Sequence, residues 1–348
     1  MLTAMGDTQP TSEPDALLGR VLDDHYRITA RLGEGGMSVV YRAERDDGPP
    51  VAVKVLHEEL GDDPDQRERF EREARALFAL QHPNILEVHD FGIVEGNPYL
   101  VMELLEGSSL DVLLEEGPPD PATALDIARQ FLAGLAFAHE QGVLHRDLKA
   151  ENIFIQRAPD GRFIAKLLDF GLVKFVDDGR WGEARSLTTQ GMIFGTPAYM
   201  SPEQTTGAPT DARTDVYSAG VILFELLTGI WPFMEEDRVS MFRAHFTKAP
   251  PTLAETHEDA DFDPALEAVY QKALAKKPDD RFPDARAMLA ALEAVPEPAA
   301  RPKHNHVTGG MGTGHGILSK PLVWVALGAG ALLILGVTGI AILAFLLG

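Results

Sequence analysis

The stretch His145-Arg146-Asp147-Leu148-Lys149-Ala150-Glu151-Asn152 constrains this chain more than any other. Within one short polar segment it presents a carboxylate, a cation and a carboxamide. Phosphoryl transfer needs that set: Asp147 can accept the proton of an attacking hydroxyl, and Asn152 can help to hold a Mg²⁺ ion. Lys149, two residues beyond the aspartate, can neutralise charge on the phosphoryl group in flight. An ordinary polar loop after a helix is the alternative. The rest of the chain decides between them.

From Tyr26 the pattern is one of short strands. Tyr26-Arg27-Ile28-Thr29 leads into Leu32-Gly33-Glu34-Gly35-Gly36-Met37-Ser38-Val39-Val40-Tyr41, followed by Val51-Ala52-Val53-Lys54-Val55. A glycine-rich turn between strands lets backbone N–H groups approach phosphate oxygens. It is not a Walker A loop, because no G-x-x-x-x-G-K-[ST] string occurs, and it is not a Rossmann turn, because a strand follows it rather than a helix. Lys54 ends an apolar strand, where an ammonium needs a partner. The spacing of Phe70, Ala74 and Leu77 predicts a helix over about Asp65 to Leu80, and Glu73 on it is the expected partner of Lys54, with Glu68 and Glu71 as members of a solvated face.

Pro98 to Gly107 reads as a buried strand running into a glycine-terminated connector, a place for two lobes to hinge. Beyond Leu110 the chain turns helical, and the apolar spacing between Ala122 and Gln141 predicts a helix that delivers the chain to the 145–152 loop. Ile153-Phe154-Ile155 and Ile164 to Leu168 read as a hairpin around Pro159-Asp160-Gly161. Asp169-Phe170-Gly171 follows at once, an aspartate after an apolar strand that can chelate Mg²⁺.

Composition sets the outer bounds. The net charge of −22, from 53 acidic and 31 basic residues, argues against nucleic acid as a partner. The absence of cysteine excludes disulfides, thiolate metal sites and cysteine nucleophiles. Residues 1–23 read as a disordered leader without signal-peptide character. Residues 293–320, rich in Pro, Ala, Gly and His, read as a juxtamembrane linker, and 321–347 as a transmembrane helix. Leu322 to Leu347 carry no charge over about 26 positions, enough to span a bilayer. Arg301, Lys303 and Lys320 precede the span, which puts its N-terminal side in the cytoplasm by the positive-inside rule. Only Gly348 follows, so no external sensor is expected. Ala326 and Gly330 form a small-xxx-small pair that would suit self-association. His304, His306 and His315 lack acidic neighbours and read as solvated linker residues.

Taken together, these motifs resemble those of the eukaryotic-like (Hanks-type) serine/threonine protein kinases of bacteria, over about residues 24–292 and in that family's order and spacing. The resemblance implies an α+β, two-lobed fold, with a small β-rich lobe (about 24–103), a larger helical lobe (about 107–292) and ATP between them. It implies ATP contacts from Leu32, Gly33, Glu34, Gly35, Gly36, Met37, Ser38, Val39, Val40, Ala52 and Lys54. Met102 falls at the gatekeeper position, and Glu103 and Leu105 in the hinge. Lys54 and Glu73 would form the positioning pair, Asp147 would be the base, and Lys149 would steady the γ-phosphate. Asn152 and Asp169 would hold Mg²⁺, with Mn²⁺ as the alternative ion. Arg146 would pair with a phosphorylated threonine of the activation loop, for which Thr188 and then Thr189 are the candidates. Thr196 matches a hydroxyl near the substrate, Asp215 and Arg281 match structural anchors, and Glu203 is expected to pair with Arg281.

Ser38 in place of a third loop glycine, Ala150 in place of a frequent proline, and Ser201 before Pro202-Glu203 depart from the pattern without touching a chemical role. The implied activity is ATP-dependent phosphorylation of protein Ser/Thr hydroxyls in bacterial signalling, at the plasma membrane with the catalytic domain cytoplasmic. A silent ATP-binding scaffold and a small-molecule kinase of similar fold are the rival readings. The threonine-bearing loop ending in Ser201-Pro202-Glu203 argues against the second.

Overall fold

The computed structural model of the chain describes residues 16–35, 38–57, 64–170, 196–256 and 262–296. The leader up to residue 15, Gly36, Met37, Thr188, Thr189, most of the linker and the apolar 321–347 segment lie outside the described residues. Among those described, no helix is long and apolar enough to cross a membrane.

Alternating and β-branched residues build the small lobe. β1 (Val21–Leu22), β2 (Tyr26–Glu34), β3 (Ser38–Arg45), β4 (Val51–Leu56), β5 (Val88–Val94) and β6 (Asn97–Glu103) form an antiparallel sheet in the order β1-β2-β3-β4-β6-β5. One sheet face closes on Ile28, Tyr41, Val53, Tyr99 and Val101, and the other faces α1 (Pro64–Phe78) through Phe70, Ala74 and Leu100. The predicted helix is therefore present, ending two residues early. Glu68 and Glu71 pair along its exposed side with Arg72 and Arg75 at 3.1 and 2.7 Å. Register matters more than strand count: Lys54 lies opposite Val40 and Leu100, and Ala52 lies opposite Met102.

In the large lobe, β7 (Ser108–Ser109) and α2 (Leu110–Glu115) precede α3 (Pro121–Glu140). α3 starts with a proline whose missing N–H needs no partner there, capped by Asp120 accepting from the Thr123 N–H. β8 (Ile153–Arg157) and β9 (Phe163–Leu167) form the expected hairpin, with Gly161 at φ 88° in its turn, a conformation that glycine adopts without strain. The chain then continues through α4 (Pro202–Thr206), α5 (Ala212–Thr228), α6 (Arg238–Thr247), α7 (Leu253–Thr256), α8 (Pro264–Ala273) and α9 (Ala285–Glu293).

α5 is the post of this lobe. Every residue from Thr214 to Thr228 is buried, as expected for a helix apolar on all sides. Gly229, at φ 77°, ends it in the left-handed conformation. α3, α8 and α9 pack around it into one core that also reaches Leu80 and Ile85 below the small lobe.

Candidate active site

A cleft opens between the lobes. Ala52, Met102, Leu105, Phe154 and Leu168 give it apolar walls, while Lys54, Glu103 and Asp169 supply the polar lining. Val40, Ala52 and Met102 pack as one group with Leu32 beside them, so the strand register alone brings four of the sequence-predicted nucleotide contacts together. Gly33 and Glu34 end β2, and beyond it the Gly35 N–H donates to the Ser38 carbonyl of β3 at 2.8 Å.

On the cleft floor, Lys54 Nζ lies 2.6 Å from Asp169 Oδ1. The two residues are 115 positions apart and largely shielded, with 12% and 19% of their side chains exposed. The ammonium on the apolar strand thus finds its partner in the opposite lobe. Glu73, its expected partner, sits half-buried on α1.

Asp147, Lys149 and Asn152 converge. Asn152 Nδ2 donates to the Asp147 carbonyl at 2.7 Å and to Asp147 Oδ2 at 3.1 Å. Lys149 Nζ lies 3.2 Å from the same Oδ2. Burial alone would lower the lysine, but the Asp147 and Glu151 carboxylates hold it above its ordinary value, so it stays cationic at neutral pH. Thr196 Oγ1 donates to Glu151 Oε1 at 3.3 Å, which brings the predicted substrate-side hydroxyl against the loop that carries Asp147. The Leu168 N–H donates to the Asn152 carbonyl at 2.9 Å, which sets Asn152 beside Asp169.

Asp169 and Asn152 offer hard oxygens, and no cluster of three or more His, Asp or Glu side chains able to hold a metal alone occurs among the described residues. Such a donor set fits Mg²⁺, which keeps waters and completes its shell with substrate phosphates.

Asp215, at the start of α5, fixes the loop from beneath. Its Oδ2 accepts from the His145 N–H at 2.8 Å and faces His139 Nε2 at 2.9 Å, and its Oδ1 accepts from the Arg146 N–H at 2.8 Å. Burial would raise this carboxyl, but the His139 bond and the surrounding donors hold it below its ordinary value. Arg146 is at φ 65° and Asp169 at φ 55°, in a region disfavoured for side chains larger than glycine by about 1–2 kcal/mol. Asp215 holds Arg146 at its N–H, and Gln204 Nε2 holds it at its carbonyl at 2.7 Å. His145 packs against Phe170 with ring centroids 4.7 Å apart and the ring planes tilted by 45°, and burial pushes its imidazole down, toward the neutral form.

A model of the protein kinase domain matches residues 26–291. The chain belongs to the protein kinase domain family. It is 41% identical over 288 residues to the serine/threonine-protein kinase pkn3 of Myxococcus xanthus, covering 82% of this chain and 52% of that protein. It is 40% identical over 292 residues to the serine/threonine-protein kinase PknL of Mycobacterium tuberculosis, covering 83% of this chain and 70% of the relative. A second Myxococcus xanthus kinase, pkn2, is matched over only 33% of its length, so the chain spans about half or less of these two Myxococcus relatives. The crystal structure of the Mycobacterium tuberculosis PknI kinase domain superposes with a TM-score of 0.60 at 29% identity, over 80% of this chain and 99% of that one.

Within this kinase domain, sequence reasoning passed over His139, Gln204 and Glu225. His139 falls within the helix predicted between Ala122 and Gln141, and Gln204 stands three residues after Ser201 in a capping box. Glu225 lies on α5, where its carboxyl accepts from the Tyr199 hydroxyl at 2.7 Å, and Trp231 Nε1 donates to the Tyr199 oxygen at 3.1 Å. Burial, opposed by the tyrosine bond and assisted by the Glu151 charge, pushes Glu225 up to about 7. A carboxyl raised on folding binds its proton more tightly in the folded chain. Its contribution to stability is present below the unfolded value near 4.5 and lost as pH rises through about 7. Between pH 5 and pH 8 the wild type should lose on the order of 2–3 kcal/mol that Glu225→Gln retains. Denaturant unfolding of both proteins at the two pH values checks this; parallel pH dependence in the two would refute it.

Proposed function

We propose that this chain is a serine/threonine protein kinase that transfers the ATP γ-phosphate to protein hydroxyls. The convergence of Asp147, Lys149 and Asn152 beside the Lys54–Asp169 pair carries this reading, and relatives named serine/threonine-protein kinases support it.

The nucleotide base fits between Ala52, Met102 and Leu105. Lys54, on its strand, is positioned for the α- and β-phosphates, with Glu73 as its partner once Asp169 is engaged with a metal ion. Asp147 orients the incoming hydroxyl and accepts its proton, while Lys149 holds positive charge beside the transferring group. Bound Mg²⁺, held by Asn152 and Asp169, supplies charge neutralisation to the phosphates.

Thr188, with Thr189 second, is the proposed site of autophosphorylation, and Arg146 the cation that receives the phosphate. The uncharged run from Leu322 to Leu347 supports a membrane anchor with the kinase domain on the cytoplasmic side, and Ala326 and Gly330 support self-association through it. An anchored chain stays with the membrane pellet after alkaline carbonate washing, and release into the wash would refute the anchor.

Incubating the full chain in mild detergent with Mg²⁺ and labelled ATP, then mapping phosphate by mass spectrometry, tests the activity. The expected result is label on Thr188 or Thr189 and on a generic protein substrate. Nucleotide binding without transfer to either would favour a silent scaffold.

A further inference from the structure

One ion pair joins the two lobes outside the chemistry described so far. Lys166 lies on β9, three residues before Asp169, and Glu103 is the last residue of β6, where the chain leaves the small lobe. Lys166 Nζ stands 2.6 Å from Glu103 Oε1, with side chains only 14% and 24% exposed. Exposed ion pairs contribute little because water screens them. This one is shielded enough to act on geometry, and each partner has a second tie.

Glu103 Oε1 also accepts from the Glu87 N–H at 2.9 Å, and the Glu103 N–H donates to the Glu87 carbonyl at 3.0 Å. Lys166 Nζ reaches the Ile85 carbonyl at 3.4 Å. The 84–87 segment is in turn stitched to β9, with the Leu86 N–H on the Leu167 carbonyl and the Leu167 N–H on the Asn84 carbonyl, both at 2.9 Å. The lysine therefore closes a ring that runs through the hinge, the segment after α1, and the strand leading to Asp169.

The two ends of the pair are held by different partners. β9 is fixed to α3, since the Ala165 N–H donates to Gln130 Oε1 at 2.9 Å and Gln130 Nε2 donates to the Phe163 carbonyl at 2.9 Å. The strand that carries the cation is thus bonded to α3 on one side. Glu103 is followed at once by the connector to Gly107, the single covalent passage between the lobes. Removing the cation takes from Glu103 its side-chain tie to β9, while β9 keeps its bonds to Gln130 and Glu103 keeps those to Glu87. Glu103 lines the cleft and Lys166 stands behind it, so whatever Lys166 does to a nucleotide it does through Glu103.

We propose that Lys166 is a positioning residue that, through Glu103, holds the hinge closed on bound nucleotide and so sets the rate of nucleotide release. This rests on the cleft being a nucleotide site, as the kinase reading has it.

The test uses the full chain with Mg²⁺ and a fluorescent ADP analogue, chased by excess ADP in a stopped-flow instrument. Lys166→Met keeps the length of the side chain and removes its charge; it should release the analogue roughly tenfold faster than wild type, within the range of coupling seen for contacting pairs. Lys166→Arg should stay within about twofold of wild type, because the guanidinium can still bond Glu103. Glu103→Gln with Lys166→Met should release no faster than Lys166→Met alone, since both changes remove the same pair. An unchanged rate in Lys166→Met, an Arg variant as fast as the Met variant, or multiplying effects in the double variant would overturn the proposal. If Lys166→Met does not fold, Lys166→Gln carries the same comparison. Wild-type protein that binds no nucleotide would instead bring down the kinase reading and this proposal with it, an outcome distinct from wild-type binding with unaltered variants.

Discussion

Asp147→Asn lowers the phosphotransfer rate by about a thousandfold or more while nucleotide binding stays within a few-fold of wild type. The amide has the shape of the carboxylate and keeps an oxygen for the bonds from Asn152 Nδ2 and Lys149 Nζ, at 3.1 and 3.2 Å in the wild type. The loop therefore has no reason to move. What disappears is a group able to take a proton, and a positioned general base contributes roughly 10²–10⁴-fold. The loss of attraction between Lys149 and a carboxylate adds to the effect at the upper end of that range. Single-turnover transfer from labelled ATP, beside a nucleotide titration of both proteins, measures the two quantities separately. A variant that transfers phosphate within tenfold of wild type would remove Asp147 from the role of base.

Arg281→Met destabilises the fold by about 3–5 kcal/mol, the range expected when one member of a buried pair is removed and the other is left. Arg281 is 4% exposed, and its N–H groups are fully engaged. Nη1 and Nη2 reach Glu203 Oε1 and Oε2 at 2.7 and 2.9 Å. Nε donates to the Ala275 carbonyl, and the remaining donors bond the carbonyls of Arg213 and Lys276. Methionine fills much of the space but leaves Glu203, itself 9% exposed, as a buried anion with only the Thr214 hydroxyl, at 2.9 Å, among its former side-chain partners.

Burial raises the Glu203 carboxyl, but the bond and charge of Arg281 hold it below its ordinary value. The stability that comes from this lowering is present above the unfolded value of about 4.5 and is lost as pH falls through the folded one. The gap between wild type and Arg281→Met should therefore be widest near neutrality and shrink in acid. A second change, Glu203→Leu on the Arg281→Met background, should recover part of the loss, because no charge is then buried without a partner. Thermal melts of the full chain read this out as a fall of roughly 10 °C for the single variant. A fall of less than about 2 °C would mean that the pair does not hold α4 to the end of the lobe.

The chemistry was legible in the sequence wherever it depends on residues close together along the chain. Asp147, Lys149 and Asn152 lie within one loop, and Asp169-Phe170 follows an apolar strand, so residue type and short spacing express them directly. The strand that carries Lys54, α3 and the β8–β9 hairpin were legible for a similar reason. Each is set by local periodicity and by turn residues such as Gly161.

Contacts that depend on distant parts of the chain were not legible from spacing or periodicity. Asp215 reaches the His145 and Arg146 amides from 70 and 69 residues away, Lys54 meets Asp169 across 115, and Lys166 meets Glu103 across 63. Glu225, beneath Tyr199, showed no local sign of its raised carboxyl, because burial by distant elements creates the shift. The likeness to bacterial kinases placed Asp215, Glu203 and Arg281 as anchors and paired Glu203 with Arg281, as the structure shows, but it did not give what Asp215 would hold. The sequence by itself determined which groups are available to move a proton and hold a phosphate. Only the packing of α5, α3 and β9 decided their mutual geometry, because a hydrogen bond or ion pair exists only where the completed core has brought its two ends within about 3 Å.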